Sequence, residues 1–334
     1  MKFACTRLAP SPTGALHLGH ARTFLVTWWM ARQAEARIVM RMEDLDFNRR
    51  KEESVREAYE DLRWLGMEWD GGNSELAVVQ SERMDVYSTM LQRLWERGCI
   101  YPCTCTRAEI VAAVNAGASA PHEGEGNVRY PGTCAETRNT KRETRNYGDV
   151  AAEITAATGR RVCWRLRVRE GVIGFVDAIM GAQGFDVGAE VGDFPLTRFE
   201  GPPPSPAYQL ACVADDHAMG IDCVIRGDDL LSSTPRQMLL YEAMGWSPPA
   251  FAHVPLVVGA DGKRLAKRHG ESRVAQFRAQ GVSAEKVVGW AAWRSGMIAR
   301  PREMTAREGL ELFDLARLPR ERVVLGAEDL EWLQ

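Results

Sequence analysis

An α/β fold with a parallel sheet is the expectation for this chain, and three observations predict it. Strand-like and helix-like runs alternate over the first hundred residues, a Pro/Gly/His-rich segment joins the first strand to the first helix, and the alternation resumes after an interruption. FACTRLA, from Phe3, reads as a short buried strand and ARTFLVTWWMARQA, from Ala21, as a packed helix. ARIVMRMEDL (36–45) is an apolar strand that ends in acids. SVREAYEDLRWLG sets Val55, Tyr59, Leu62 and Leu65 at helical spacing, with Gly66 as C-cap. AVVQ is a short strand, and SERMDVYSTMLQRLWERG is a helix that starts on the capping residue Ser81 and stops at Gly98. The interruption runs from Tyr101 to about Pro195. It carries CTCTRAEI, a Gly/Ala/Pro/His loop, YPGTC, and the strand-like runs VCWRLRV and GVIGFVDAIMG. PAYQLACVADDH, CVIRGDDLL, PRQMLLYEAMGW and FAHVPLVVG restore the α/β pattern, and 271–334 looks helical with breaks near Gly281, Pro301 and Pro319. The expected division is 1–100 and 196–270 for the two halves of the sheet domain, 101–195 for an insertion and 271–334 for a helical C-terminal region.

A chain of 334 residues has room for two or three cores, and its composition is that of neither a disordered nor a fibrous protein. MKFACTR lacks the apolar core of a signal peptide, and FLVTWWMA is too short to span a bilayer. Eight cysteines without a secretory signal favour thiols or metal ligands over disulfides, so a cytoplasmic location and no membrane partner are expected. A net charge of −3 argues against general polyanion coating. RNTKRETRN (138–146) and RRVCWRLRVR (160–169) are locally basic, and read either as solvated surface or as patches that steer a phosphate backbone.

Two motifs point to a nucleotide. His17-Leu18-Gly19-His20 sits where a helix begins, and free backbone N–H groups there favour phosphate. Two histidines one turn apart can hydrogen-bond phosphate oxygens, and Gly19 leaves room for a flat purine; the alternative is capping and core packing. Lys263-Arg264-Leu265-Ala266-Lys267-Arg268 lies in a glycine-flanked loop far downstream, suited to charge developing on a triphosphate; the alternative is a basic surface turn. Neither GxGxxG nor a P-loop is present, which counts against dehydrogenase and Walker-type readings.

HLGH and RLAKR resemble the HIGH and KMSKS signatures of class I aminoacyl-tRNA synthetases. RLAPSPTGALHLGHAR, RMEDLD, QSERMDVY and AYQLACVADDHAMGIDCVIRGDDLLSSTPRQ resemble the glutamyl branch, over a span from Arg7 to about Gly270. Within that branch the chain resembles most the short paralogues that activate glutamate with ATP and transfer it to the queuosine base in the anticodon of tRNA(Asp). The resemblance implies a Rossmann-like parallel-sheet catalytic core, and ATP, L-glutamate and queuosine-containing tRNA(Asp) as partners. It implies catalysis by His17, His20 and Lys267, an ATP site of His17, Gly19, His20 and Lys267, and Mg²⁺ accompanying the ATP. Ala266 stands where the signature has serine, which removes one phosphate hydrogen bond.

Arg7 and Arg226 fall at predicted carboxyl ends of sheet strands, where open α/β folds bind ligands. Two guanidinium forks suit a side-chain carboxylate; for either arginine alone a surface salt bridge is the alternative. Glu43 can take an ammonium group, and Tyr208 and Ser11 can add hydroxyl contacts. The resemblance implies a glutamate site of Arg7, Leu8, Ala9, Pro10, Ser11, Glu43, Tyr208 and Arg226. Cys103, Cys105 and Cys134 supply three thiolates for a closed zinc site, with three reduced thiols as the alternative. The resemblance implies Tyr130 as fourth ligand; His122, in the intervening loop, is the rival. Cys5, Cys99, Cys163, Cys212 and Cys223 read as buried thiols.

The resemblance implies a helical anticodon-binding region in full-length glutamyl enzymes, and this sequence of 334 residues is expected to lack it. A core that receives the anticodon loop itself would need none, and the Arg-rich insertion is where RNA contact is expected. The rivals are a truncated glutamyl-tRNA synthetase acting on tRNA(Glu), a non-catalytic zinc-containing RNA-binding protein and an HxGH nucleotidylyltransferase. A monomer is expected.

Overall fold

The computed structural model describes residues 1–71, 78–117, 129–135, 145–201, 205–263, 265 and 272–334. The first half of the sheet domain runs β1 (Cys5–Leu8), α1 (Leu18–Gln33), β2 (Arg37–Met42), α2 (Glu52–Trp64), β3 (Val78–Val79) and α3 (Met84–Glu96). β1 and β3 pair with β2 in parallel, as the sequence pattern predicts, with Cys5 opposite Arg37 and Arg41 opposite Val78. Helix α3 begins later than expected. Ser81 lies in a 3-10 turn and gives its backbone N–H and hydroxyl to the Asp44 carboxylate, so Arg83 becomes the N-cap residue.

The next stretch contains β4 (Ile100–Cys103), α4 (Arg107–Gly117), α5 (Tyr147–Thr158), β5 (Cys163–Leu166), β6 (Ile173–Asp177), β7 (Gly181–Phe185) and α6 (Val187–Glu190). β4 and β5 form an antiparallel pair that sets Cys103 opposite Cys163. The β6–β7 hairpin lies within the span of the expected insertion, yet β6 runs parallel to β9 (Ala250–Val254) and extends the second parallel unit. That unit also holds α7 (Tyr208–Ala218), β8 (Cys223–Gly227) and α8 (Thr234–Met244), with β8 parallel to β9 from Cys223–Ala250 to Gly227–Val254. The remainder comprises β10 (Val257–Val258), α9 (Val274–Ala279), α10 (Ala284–Arg294), α11 (Ala306–Leu312), β11 (Val323–Val324) and α12 (Ala327–Trp332). The strand β11, unmarked in the sequence reading, pairs in parallel with β10.

A carboxylate joins the two halves of the sheet. Asp222 accepts the backbone N–H groups of Ala4 and Cys5, each at 2.8 Å, and Arg7 Nη1 donates to the Ile225 carbonyl at 2.9 Å. These contacts keep β1 and β8 side by side and aligned, so the carboxyl ends of β1, β2, β8 and β9 share one edge. Helix α1 crosses beneath that edge and is buried nearly all round: Leu18, Leu25, Val26, Trp28 and Trp29 sit in a core shared with α10 and α11. Its Thr, Val and Trp residues are mediocre helix formers, so packing holds this helix more than intrinsic propensity does. Trp29 Nε1–H donates to the Ala306 carbonyl at 2.8 Å, and a Cβ on Gly309 would lie 2.8 Å from the Trp29 ring. A second core of Tyr87, Trp95, Trp164, Phe194, Leu210 and Leu240 joins α3, α7 and α8 to the β4–β5 pair. Among the described residues no helix is long and apolar enough to cross a membrane.

Candidate active site and thiol cluster

The shared carboxyl edge opens into a cleft of about 1460 Å³. Its walls include Arg7, Ala9, Pro10, Ser11, His17, Gly19, His20, Glu43, Tyr208 and Arg226, so residues singled out in separate motifs meet in one space. Leu8 differs. Neighbouring residues of a strand face opposite sides, and the Leu8 side chain is fully buried in the core away from the cleft. Lys267, with Arg264, Ala266 and Arg268, falls outside the described residues. Lys263 before them, Leu265 among them, and Ser272 and Arg273 after them line the cleft.

His17 is the N-cap residue of α1. Its Nδ1 accepts from the His20 backbone N–H, and His20 Nδ1 accepts from that of His17, each at 3.3 Å. The rings stack with centroids 3.6 Å apart. A Cβ on Gly19 would come within 3.1 Å of the His17 ring, so glycine is what lets that imidazole fold back onto the first turn. Capping, the alternative weighed from the sequence, is a role both histidines have here, and it still leaves them on the cleft wall at the positive end of α1. The segment after residue 271 is tied to the same turn: Leu18 N–H donates to the Ser272 carbonyl at 2.8 Å and Val274 N–H to the Leu16 carbonyl at 2.9 Å.

Arg7 is no surface salt bridge. It is buried, with Nε 3.4 Å from Asp216 Oδ1, the oxygen that Arg41 Nη1 contacts at 2.6 Å. Arg41 Nη2 then reaches Glu43 Oε1 at 3.0 Å. Burial opposes ionisation of all three inner groups, but each holds its charge because its neighbours outweigh the burial. Asp216 raises the Arg7 and Arg41 guanidinium values, and the two arginines hold Asp216 below the usual carboxylate range. Burial also pushes the Tyr208 phenol and the Cys212 thiol up, the latter to about 12.

Arg226 is buried as well but has different company. Nε donates to His253 Nε2 at 3.0 Å, Nη1 to the Tyr208 hydroxyl at 3.2 Å, and Nη2 to Thr234 Oγ1 at 2.8 Å. Among the described residues no carboxylate pairs with it. A buried guanidinium on a cleft wall, surrounded by neutral acceptors, is a site waiting for an anion.

The three sulfurs of Cys103, Cys105 and Cys134 lie within 4.8 Å of one another at the end of the β4–β5 pair. The Tyr130 hydroxyl is 3.4 Å from Cys103 Sγ and 3.8 Å from Cys105 Sγ, and Cys105 Sγ is 3.5 Å from Cys134 Sγ. A tetrahedral zinc with Zn–S bonds of about 2.3 Å needs sulfurs about 3.8 Å apart, so the donor set fits. Arg165 stacks over the Tyr130 ring at 3.9 Å. Burial raises the Cys105 thiol to about 12, whereas Cys134 is lowered despite its burial because the Tyr130 hydroxyl and the Thr104 N–H favour the thiolate. His122, the rival ligand, lies outside the described residues. Cys5, Cys163, Cys212 and Cys223 are buried as expected, but Cys99 is partly exposed.

Sequence reasoning passed over Arg41, Asp216, His253, Asp177 and Thr234. Only their placing near strand ends, on the inner face of α7 and at the start of α8 could have signalled them. The Arg-rich run 160–169 also proves less uniform than it reads. Arg165 is buried against Tyr130, Arg160 pairs with Glu109, and Arg169 pairs with Glu242.

Parallel α/β units that meet at one wide cleft on their carboxyl edge define an α/β core with a ligand-sized site. Residues 4–332 match the family described as tRNA synthetases class I (E and Q), catalytic domain, and the chain belongs to that family. It is 43% identical to the Glutamyl-Q tRNA(Asp) synthetase of Rhodopirellula baltica, with 97% of each protein covered. Identity to the Glutamyl-Q tRNA(Asp) synthetase of Symbiobacterium thermophilum is 45%, covering 98% of this chain and 97% of that protein. Among solved structures, a glutamate tRNA ligase from Elizabethkingia meningosepticum in complex with its amino acid superposes with a TM-score of 0.78. There the identity is 27%, and 99% of this chain and 68% of that one are covered.

Proposed function

We propose that this chain is a ligase that activates L-glutamate with ATP and transfers the glutamyl group to the queuosine base in the anticodon of tRNA(Asp). The observation that carries the reading is the buried Arg226, free of any carboxylate among the described residues, in the same cleft as the His17–His20 turn. The Glutamyl-Q relatives are covered over 97% of their own length, against 65% for a glutamate–tRNA ligase 38% identical to this chain, which supports the choice of acceptor.

In this reading Arg226, Arg7 and Tyr208 take the side-chain carboxylate, Glu43 takes the ammonium, and Ala9, Pro10 and Ser11 form the adjoining wall. His17, Gly19, His20 and Lys267 face ATP, whose triphosphate brings Mg²⁺. A glutamate α-carboxylate oxygen attacks the α-phosphorus, the bond to the bridging α–β oxygen breaks, and pyrophosphate leaves. A hydroxyl of the queuosine cyclopentene-diol then attacks the acyl carbon, forming the ester and releasing AMP. No side chain serves as nucleophile; positioning and charge complementarity lower the barrier. Burial of a neutral amide against Arg226 would leave the cation short of its partner, which disfavours glutamine. Aspartate lacks one methylene, which by itself separates substrates by only about 1–3 kcal/mol, so the placing of the two guanidiniums must add to it.

The experiment supplies labelled glutamate and ATP with queuosine-containing tRNA(Asp), unmodified tRNA(Asp) and tRNA(Glu). Label is expected on the first alone. Label on tRNA(Glu) alone overturns the reading, and no label on any indicates a binding protein.

Cys103, Cys105, Tyr130 and Cys134 would hold one structural zinc ion that stitches the 129–135 segment to the β4–β5 pair. Metal analysis of the purified protein should find about one zinc per chain, and Cys134→Ser should release it and lower the thermal midpoint. A metal-free protein of unchanged stability would end the zinc assignment.

A further inference from the structure

Behind Arg226 lies a chain of buried polar contacts that substrate binding does not explain. Asp177, at the end of β6, accepts at Oδ1 from the backbone N–H groups of Ile179, Met180 and His253 at 3.0, 2.9 and 3.1 Å. Its Oδ2 lies 2.6 Å from His253 Nδ1. At the other edge of the ring, Nε2 is 3.0 Å from Arg226 Nε and 3.2 Å from Thr234 Oγ1. An arginine can only donate, so Nε2 is the acceptor and the ring proton sits on Nδ1, pointing at Asp177. His253 is therefore neutral, in one tautomer. We propose that His253, fixed by Asp177, is a positioning residue that aims Arg226 at the substrate carboxylate and makes glutamate binding sensitive to acid. The inference rests on the reading of Arg226 as a glutamate ligand.

The groups facing His253 come from every packed element. They are the carboxylate of Asp177 on β6, the guanidinium of Arg226 on β8, the hydroxyl of Thr234 on α8, the Phe251 ring on its own strand and, further off, Arg7 on β1. Burial, aided by the two arginines and opposed by Asp177, holds the imidazole below its ordinary 6.5. When it does gain a proton, Nε2–H confronts Arg226 Nε–H: the acceptor is lost and two cations share a buried space. Arg226 must then turn away from Tyr208 and from the substrate.

Two substitutions separate the two edges of the ring. The side-chain oxygen of His253→Gln overlies Nε2 and still accepts from Arg226, but cannot be protonated. His253→Asn overlies Nδ1, keeps Asp177 and loses Arg226. Glutamate-dependent ATP–pyrophosphate exchange from about pH 8 to 5 should show the glutamate KM of the unsubstituted protein rising about threefold or more towards the acid end, and staying within about 1.5-fold for His253→Gln. His253→Asn should raise that KM about tenfold at all pH values while the ATP KM moves less than about threefold. An acid rise retained by His253→Gln, or an ATP KM that climbs with the glutamate KM in His253→Asn, overturns the inference. So does a flat profile of the unsubstituted protein, which needs no variant to fold. Arg226→Gln tells the two failures apart: an unchanged glutamate KM there defeats the glutamate reading itself, whereas a raised one confines the failure to His253.

Discussion

Replacing Asp216 with Asn will cost about 3–5 kcal/mol of stability and most of the affinity for glutamate. The carboxylate is buried, and two guanidiniums, Arg7 and Arg41, depend on its Oδ1. An amide of the same shape can accept one hydrogen bond but brings no charge. Two cations would then remain in a low-dielectric interior with Glu43, which must also serve the substrate ammonium, as the carboxylate still in contact with Arg41. Urea unfolding reads the stability, and pyrophosphate exchange at varied glutamate reads the binding. A matched control is Glu60→Gln, which loosens the exposed Arg56 contact and the half-exposed Arg278 contact and should cost under about 1 kcal/mol. If the two substitutions cost the same, desolvation is not what makes Asp216 matter.

Lys267→Ala should slow glutamate activation by about 10²–10³-fold, the usual loss when one preorganised stabiliser of transition-state charge is removed. The glutamate KM should change by less than about threefold, because a triphosphate contact made fully only in the transition state contributes little to ground-state binding of the amino acid. Single-turnover formation of the adenylate gives the rate, and equilibrium binding gives the affinity. Equal losses in both would contradict a transition-state role. The expectation comes from RLAKR in the sequence, and the described residues around it support it. Lys263, just before the motif, and Leu265 within it line the cleft, and Ser272, after it, is bonded to the first turn of α1.

The parallel units were legible because hydrophobic period and glycine stops are local signals. Leu18 to Gln33, Glu52 to Trp64 and the strands around Arg7 and Arg226 fall where the pattern puts them. The cleft residues were legible because they sit at strand ends and helix starts, positions that a sequence pattern marks. Arg41 and Asp216 were not. In a strand or helix a charged residue ordinarily marks the solvent face, and only a partner about 175 positions away turns that face inward. Nor could the pattern reveal that β6, read as part of an insertion, lies against β9 and delivers Asp177 to His253. Pairings of that kind depend on loop closure across the whole chain, which no window of residues records.

The bond from Leu18 to the Ser272 carbonyl spans about 250 positions, and the helix it caps is wrapped by α10 and α11 from still later in the chain. During synthesis the N-terminal segment leaves the ribosome first, with Trp28, Trp29 and Leu25 uncovered until the last quarter of the protein follows. A half-made chain has the His17–His20 turn in its sequence but neither the packing nor the downstream segment at Ser272–Val274 that frames it. Ribosome-bound fragments should therefore neither retain ATP nor consume it, and assembly of this enzyme is a high-contact-order process that exposes a large apolar surface on the way.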